Sequence, residues 1–184
     1  RSNSVHVDLG TGAVMEEASH VERWRIDLVE TGQHAQTGAR IAKLQKYIGD
    51  EAFFVTYGDG VADVDLSELL AFHKSHGKIG TVTAVRPPSK FGALGLDANQ
   101  NVSTFTEKPI SGESWINGGF FVFEPGIFNY LTIDDSCALE RGPLGALAND
   151  GQLVAFRHPG FWQCLDTAND VVAVNKAWNS GDAP

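Results

Sequence analysis

Apolar and polar positions change their period several times along the chain, and each change marks an element. "VHVDL" alternates, "WRIDLVE" alternates after it, and "GTG" stands between them, a pattern that predicts a strand, a turn and a second strand. "TGARIAKLQKYIGD" puts Ile41, Leu44 and Ile48 on one helical face and supplies Gly49 as a stop. "AFFVTY" is an unbroken apolar and β-branched run, the mark of a central strand covered on both faces. "DLSELLAFHKSHGK" then offers Asp65 as N-cap, Glu68 three residues on, a Leu66/Leu69/Leu70 stripe and Gly77 at the end. "IGTVTAV" reads as a second buried strand, stopped by Pro87 and Pro88, and "FGALGLD" with "NVSTFTEKP" as a hairpin or short meander. "WINGGFFVFEP" is a strand with Asn-Gly-Gly at its entrance, and "ALERGPLGALANDG" is a helix weakened by glycines and a proline. "QLVAFRH" closes as a strand and "TANDVVAVNKAWNS" as an amphipathic helix. Strands and helices alternate through the middle, which predicts a mixed, mostly parallel α/β sheet of Rossmann-like, nucleotide-binding type. Its ligand site is expected beyond the strand ends.

Composition narrows this picture. With 184 residues, 42% of them hydrophobic and 20% charged, the chain is long enough for one core, and residues 1–184 are read as a single domain. A net charge of −9 argues against nucleic acid as a partner. No run approaches the roughly 20 apolar residues of a membrane span. The two cysteines, Cys137 and Cys164, make neither a disulfide framework nor a zinc-ligand spacing, as suits a cytoplasmic protein. "RSNSVHVDLG" has no signal-peptide core and reads as a chain entered partway through.

Asp59, between Gly58 and Gly60, ends the "FFVTY" run where the loop tolerates unusual φ/ψ and close ligand approach. The same pair of residues suits a plain turn. In "FWQCLDTANDVV", Thr167 and Asp170 form a capping box, which leaves Asp166 one residue outside the helix and able to point elsewhere. Two carboxylates together with substrate phosphates are the usual way of holding Mg²⁺. Glu107 and Lys108 end the "FTEKP" strand, where they form either a solvated edge or a pair for sugar hydroxyls and phosphate. Asn117, Gly118 and Gly119, and likewise Gly92 of "FGAL", suggest a bulge or a backbone pressed against a ligand. "TGQHAQTGAR", with Gly32, Gly38 and Arg40, is a weak phosphate-cradle signal. His73 and His76 read as a solvated helix end, and Cys164 as a small buried apolar residue.

Taken together, "FFVTYGDGVADVDLSELLAFHKSHGK", "PPSKFGALGLD", "FTEKP", "WINGGFFVFEP" and "FWQCLDT" closely resemble the glucose-1-phosphate cytidylyltransferase family, the CDP-glucose pyrophosphorylases among the sugar-phosphate nucleotidyltransferases. The motifs occur in the family's order over nearly the whole chain. The resemblance implies that Asp59 and Asp166 bind Mg²⁺ and that Lys108, with them, serves the reaction. It implies sugar-phosphate contacts at Glu107, Lys108, Gly92, Asn117 and Gly118, and nucleotide contacts at Thr37, Gly38 and Arg40. The partners it implies are CTP and glucose 1-phosphate, joined to CDP-glucose with release of pyrophosphate, and a homo-oligomer.

The sequence also departs from the family pattern. The Gly-rich loop of type GGxGTRL and the Pro-Lys-Pro lysine do not occur in these 184 residues, so the expected fold is N-terminally shortened. Ala39 stands where a second glycine is usual, and Cys164-Leu165 stand where Pro-Met is usual. The alternative reading is a non-catalytic sugar-phosphate-binding or assembly module, inactive because it has no triphosphate loop.

Overall fold

The computed structural model describes residues 4–17, 25–87, 93–96, 100, 102–106 and 115–183. Gly92, Glu107 and Lys108 lie outside the described residues, so the structure places none of them. Residues 1–30 and 31–184 form two compact units.

In the first unit, β1 (Ser4–Asp8) pairs antiparallel with β2 (Ala13–Glu17), Asp8 opposite Ala13. The Asp8 carboxylate accepts from the Gly10 and Thr11 amides and closes the turn. This corrects the expected hairpin: its second strand is "AVMEE", and residues 25–30, the described part of "WRIDLVE", form no strand. Residues 25–30 have no regular structure, and Ile26 and Leu28 are exposed. A short turn brings the adjacent segment back at a somewhat smaller loop-closure cost than a longer loop, about 0.6 kcal/mol for each doubling of length.

The second unit is built on a four-stranded sheet of order β3-β8-β5-β9. Its strands are β3 (Phe53–Thr56), β5 (Gly80–Val85), β8 (Ile116–Phe123) and β9 (Leu153–Arg157). β8 runs antiparallel to both neighbours, while β5 and β9 are parallel, so β3, β5 and β9 share one direction. Two ladders flank it: β6 (Ala93–Leu96) with β7 (Val102–Thr106), and β4 (Gly60–Ala62) with β10 (Trp162–Cys164), both antiparallel. The mixed sheet and the β6–β7 hairpin are as expected. The place of "FFVT" is not. Among the described residues β3 pairs only with β8, and its burial alternates, with Phe54 exposed. The central strands are β5 and β8. A continuous apolar run fixes neither the number of hydrogen-bonded neighbours nor that both faces are covered, and here one face of β3 stays exposed.

Strand alternation divides the core. Phe121 and Phe123 stack at 5.5 Å on one face, in a cluster with Ile41, Ile127, Leu131, Leu139 and Leu147. Ile41 belongs to α1 (Thr37–Lys43), and the short α2 (Gln45–Ile48) follows it. Leu147 belongs to α4 (Pro143–Asn149), which starts with proline at its first turn. The other face carries α3 (Leu66–His76). Asp65 caps it as expected, accepting from the Ser67 and Glu68 amides, and Gly77 ends it in the left-handed region at φ 63°.

α3 buries Leu69 and His73, one helical turn apart, so His73 is not a solvated end. It is 1% exposed. The Lys78 amide donates to His76 Nδ1 (2.9 Å), which makes His76 Nε2 the donor to Thr81 Oγ1 (2.7 Å). The Thr81 hydroxyl proton then goes to His73 Nδ1 (2.8 Å), and His73 Nε2–H goes to Glu124 (3.2 Å). The chain of donors assigns one tautomer to each ring. Burial, then the neighbouring His73 and Lys78, hold the His76 pKa below its ordinary 6.5. A depressed histidine pKa gives stability that is present above the unfolded value and lost as pH falls through the folded one. Urea denaturation between about pH 7.5 and pH 5 should show stability falling with acidification, and His76→Gln should flatten that slope. An unchanged slope in the variant would refute the assignment.

Candidate active site

Asp59 follows β3 through the turn Tyr57-Gly58 and immediately precedes β4. The β4–β10 ladder sets Gly60 opposite Cys164, and the Leu165 amide donates to the Asp59 carbonyl at 2.8 Å. Asp59 on one strand and Asp166 on the other are thereby held at one end of the ladder. α5 (Ala168–Ser180) starts directly behind, capped by Thr167 and Asp170 in the expected reciprocal box. One donor atom each from Asp59, Cys164 and Asp166 lie within 4.8 Å of one another, with both carboxylates exposed. Cys164 is half-buried and its Sγ–H donates to Asp166 Oδ1 at 3.1 Å, so it is not the small buried apolar residue expected.

A second polar group lies beside the first. Tyr57 OH donates to Glu140 Oε1 (2.5 Å), Thr37 Oγ1 donates to Glu140 Oε2 (2.8 Å), and the Leu139 amide donates to Thr37 Oγ1 (2.9 Å). Asn117 Nδ2 donates to Tyr57 OH (3.1 Å), and Asn117 Oδ1 accepts from the Gly119 amide. Burial, then the hydrogen bond to Glu140, hold the Tyr57 phenol above its ordinary pKa. Burial raises the Glu140 carboxyl, but the bonds from Tyr57, its own backbone and Thr37 outweigh it, and the net pKa is lowered. The pair is therefore neutral phenol against carboxylate at neutral pH. A cavity of about 520 Å³ joins both groups, lined by Thr37, Thr56, Tyr57, Gly58, Asp59 and Glu140. Those lining residues carry two carboxylates and no cation, so an anionic ligand there needs a counter-charge from elsewhere.

The structure brings Asp59 to Asp166, and links Thr37 to Asn117 through Glu140 and Tyr57. Arg40 stays apart from that cavity, donating to Thr31 Oγ1 (2.7 Å) and the Gln33 carbonyl. The glycines have reasons inside the protein. A Cβ on Gly38 would stand 2.8 Å from Cys137 Sγ, and one on Gly118 would stand 2.9 Å from Val85 Cγ1. Gly118 also offers its carbonyl to Trp162 Nε1 (2.7 Å), which ties "WING" to "FWQ". The Asn-Gly-Gly entrance lies at a bulge in the β5–β8 register, as its glycines suggested. The phosphate cradle finds little room: α1 has only seven residues, and the Ala39 amide is already bonded to the Cys137 carbonyl. Glu140 was missed by sequence reasoning. Its partner Tyr57 lies 83 residues away, and nothing in "ALERGP" points there.

Comparison with known proteins supplies the context for this geometry. The chain is 47% identical over 165 residues to a glucose-1-phosphate cytidylyltransferase of Salmonella typhi, covering 89% of this chain and 63% of that protein. It is 42% identical over 181 residues to a probable glucose-1-phosphate cytidylyltransferase of Bacillus subtilis (strain 168), covering 98% and 70%. The chain thus spans a little under two thirds of the length of the Salmonella relative. Among solved structures, a putative glucose-1-phosphate thymidylyltransferase from Bacillus anthracis in complex with a sucrose superposes with a TM-score of 0.56 at 17% identity. That superposition covers 79% of this chain and 61% of the other, and it speaks for the fold. Residues 11–178 match the Nucleotidyl transferase family, and with relatives of this identity along the same stretch the chain belongs to that family.

Proposed function

We propose that the protein joins CTP and glucose 1-phosphate to give CDP-glucose and pyrophosphate. The observation that carries this reading is the meeting of Asp59 and Asp166 at one ladder end, in a chain of the nucleotidyl transferase family. In such a transfer a phosphate oxygen of glucose 1-phosphate attacks the α-phosphorus of CTP in line and pyrophosphate leaves. No protein nucleophile takes part, so the residues have to position and neutralise.

The two exposed carboxylates are a hard-oxygen donor set and fit Mg²⁺, which is held by one or two carboxylates plus substrate phosphates. Bound there, Mg²⁺ supplies charge stabilisation at the reacting phosphates. The assigned work of the other residues follows from their chemistry. Lys108 pairs with the sugar phosphate through a charge-assisted bond. Glu107, Asn117 and the backbone at Gly92 and Gly118 meet the sugar hydroxyls, and Thr37, Gly38 and Arg40 border the nucleotide. The Tyr57–Glu140 pair holds Asn117 in its rotamer. Among the described residues no helix is long and apolar enough to cross a membrane, and we place the reaction in the cytoplasm.

The test is pyrophosphate release by the whole protein from CTP, glucose 1-phosphate and Mg²⁺, with Asp59→Asn as the blank. Transfer that survives in the blank, or that runs equally well with dTTP or GTP in place of CTP, would overturn the assignment.

We also infer a homo-oligomer whose contact includes the edge of β3. That edge has no strand beside it among the described residues, and it borders an apolar groove of about 450 Å³ containing Ile41, Leu44, Ile48, Phe53 and Phe54. An unpaired strand edge is a template for another strand. Phe54→Lys should lower the mass in sedimentation, and a wild-type monomer at all concentrations would refute the contact.

A further inference from the structure

We propose that Trp162 is a positioning residue: its indole N–H fixes the strand pair that carries Asp59 and Asp166 against the strand that carries Asn117. The inference rests on reading the aspartates as the metal site and Asn117 as a sugar contact, and it names what aligns the two.

Trp162 Nε1 donates to the Gly118 carbonyl at 2.7 Å, and the bond is partly buried. The sheet itself releases that carbonyl. The β3–β8 register ends at Phe120 and the β5–β8 register passes from Phe121 to Asn117, so Gly118 has no opposite residue on either neighbour. A bulge leaves backbone groups out of the ladder, and the indole takes this one. Gly118 sits close on β5, where a Cβ would stand 2.9 Å from Val85 Cγ1, so its carbonyl belongs to a fixed part of the sheet.

The donor comes from the β4–β10 ladder. Trp162 opens β10 opposite Ala62 of β4, and Asp166 follows it by four residues. Asp59 and Asp166 stand at the other end, beyond the Gly60–Cys164 pair. Two side-chain bonds tie the Trp162 end to the central sheet. One is the indole bond. In the other, Asp63 Oδ1 meets His158 Nε2 at 2.8 Å, and the His158 amide bonds the Ala84 carbonyl of β5. A body held at two points keeps its orientation, and held at one it can turn. The covalent link from β3 is no substitute, because it runs through Gly58, beside whose Cβ position the space is open.

Each half has its own supports. Asn117 Oδ1 accepts from the Gly119 amide and its Nδ2 donates to Tyr57 OH. The aspartate end keeps the bond from the Leu165 amide to the Asp59 carbonyl. Loss of the indole bond should therefore leave both halves intact and free their mutual placement. In-line transfer is sensitive to that placement, since an error of about 1 Å can cost about 10²-fold in rate.

The experiment uses the whole protein. Trp162→Phe keeps an aromatic ring and removes the N–H. Trp162→benzothienylalanine, with sulfur in place of the N–H, keeps the bicyclic shape and covers the case that phenylalanine does not fold. Mn²⁺ stands in for Mg²⁺ at the aspartates, and its paramagnetic relaxation of the glucose 1-phosphate ³¹P nucleus follows their separation to the inverse sixth power. In both variants Mn²⁺ and glucose 1-phosphate should bind within about threefold of wild type, while the relaxation rate changes at least about twofold and kcat falls about 10²-fold, as for a misplacement of about 1 Å. Unchanged relaxation with both ligands bound, or affinities falling together with kcat, would overturn this inference alone. Wild-type protein that binds no Mn²⁺ at the aspartates, or no sugar phosphate, would overturn the functional reading and this inference with it. Altered relaxation in the variants, with no transfer from CTP by wild type, would overturn the cytidylyl reading and leave the positioning role standing.

Discussion

Asp59→Asn is expected to lower transfer from CTP to glucose 1-phosphate by about 10²–10³-fold, the size that loss of one preorganised electrostatic contact costs. Asparagine keeps the shape of the side chain and removes the charge. The fold should hardly notice. Asp59 is exposed, and its link to β10 runs through its backbone carbonyl, which the substitution leaves in place. Stability should therefore stay within about 0.5 kcal/mol of wild type, as for most surface substitutions. Asp166→Asn should behave alike, because the two carboxylates serve one ion. For the same reason the double variant should be little worse than either single one, since groups that act as a unit are strongly non-additive. Purely additive losses, with Mg²⁺ affinity unchanged in each variant, would mean that the two aspartates do not share an ion.

The elements legible in the sequence are those whose signals are local. α3 was readable because Asp65 and Gly77, its cap and its stop, lie within its own thirteen residues, and the Thr167–Asp170 box likewise announced α5. What escaped depends on distant partners. The "FFVT" run shows that β3 is apolar, but only the register against β8 shows that, among the described residues, its one neighbour is that strand. His73 looked solvated because the end of its helix, "HKSH", is polar in sequence, whereas Thr81 and Glu124, its partners, come from elsewhere in the fold. The meeting of Asp59 and Asp166 is intermediate. Each position could be marked from its own loop, but their proximity follows from pairing Gly60 with Cys164, which no local pattern states. Glu140 was invisible altogether, because its importance comes from Tyr57 and Thr37, which lie 83 and 103 residues earlier.

Gly119→Val tests how tightly that network depends on the sheet beneath it. Gly119 has φ 80°, a left-handed conformation that costs an L side chain about 1–2 kcal/mol. A Cβ there would also stand 2.7 Å from Tyr57 Cδ2, well inside contact distance. Overpacking of this kind costs roughly 1–3 kcal/mol more. The ring cannot yield freely. Tyr57 packs edge-on against Phe121 at 5.6 Å, its hydroxyl is held by Glu140 and Asn117, and its amide bonds the Gly119 carbonyl itself. Any shift that relieves the clash must loosen one of these contacts. The variant should therefore lose about 2–5 kcal/mol of stability, the sum of the two costs. Tyr57 should also be freed from Glu140, bringing its phenol ionisation back toward 10 in a spectrophotometric titration. Gly119→Ala separates the effects: it carries the same backbone strain and the same Cβ, but none of valine's further bulk. It should show the titration change with a stability loss at the lower end of that same range of about 2–5 kcal/mol, since valine's branches can only add to it. If both variants unfold at the wild-type urea concentration, Gly119 is not what seats Tyr57, and the link between the β8 bulge and the site would fail.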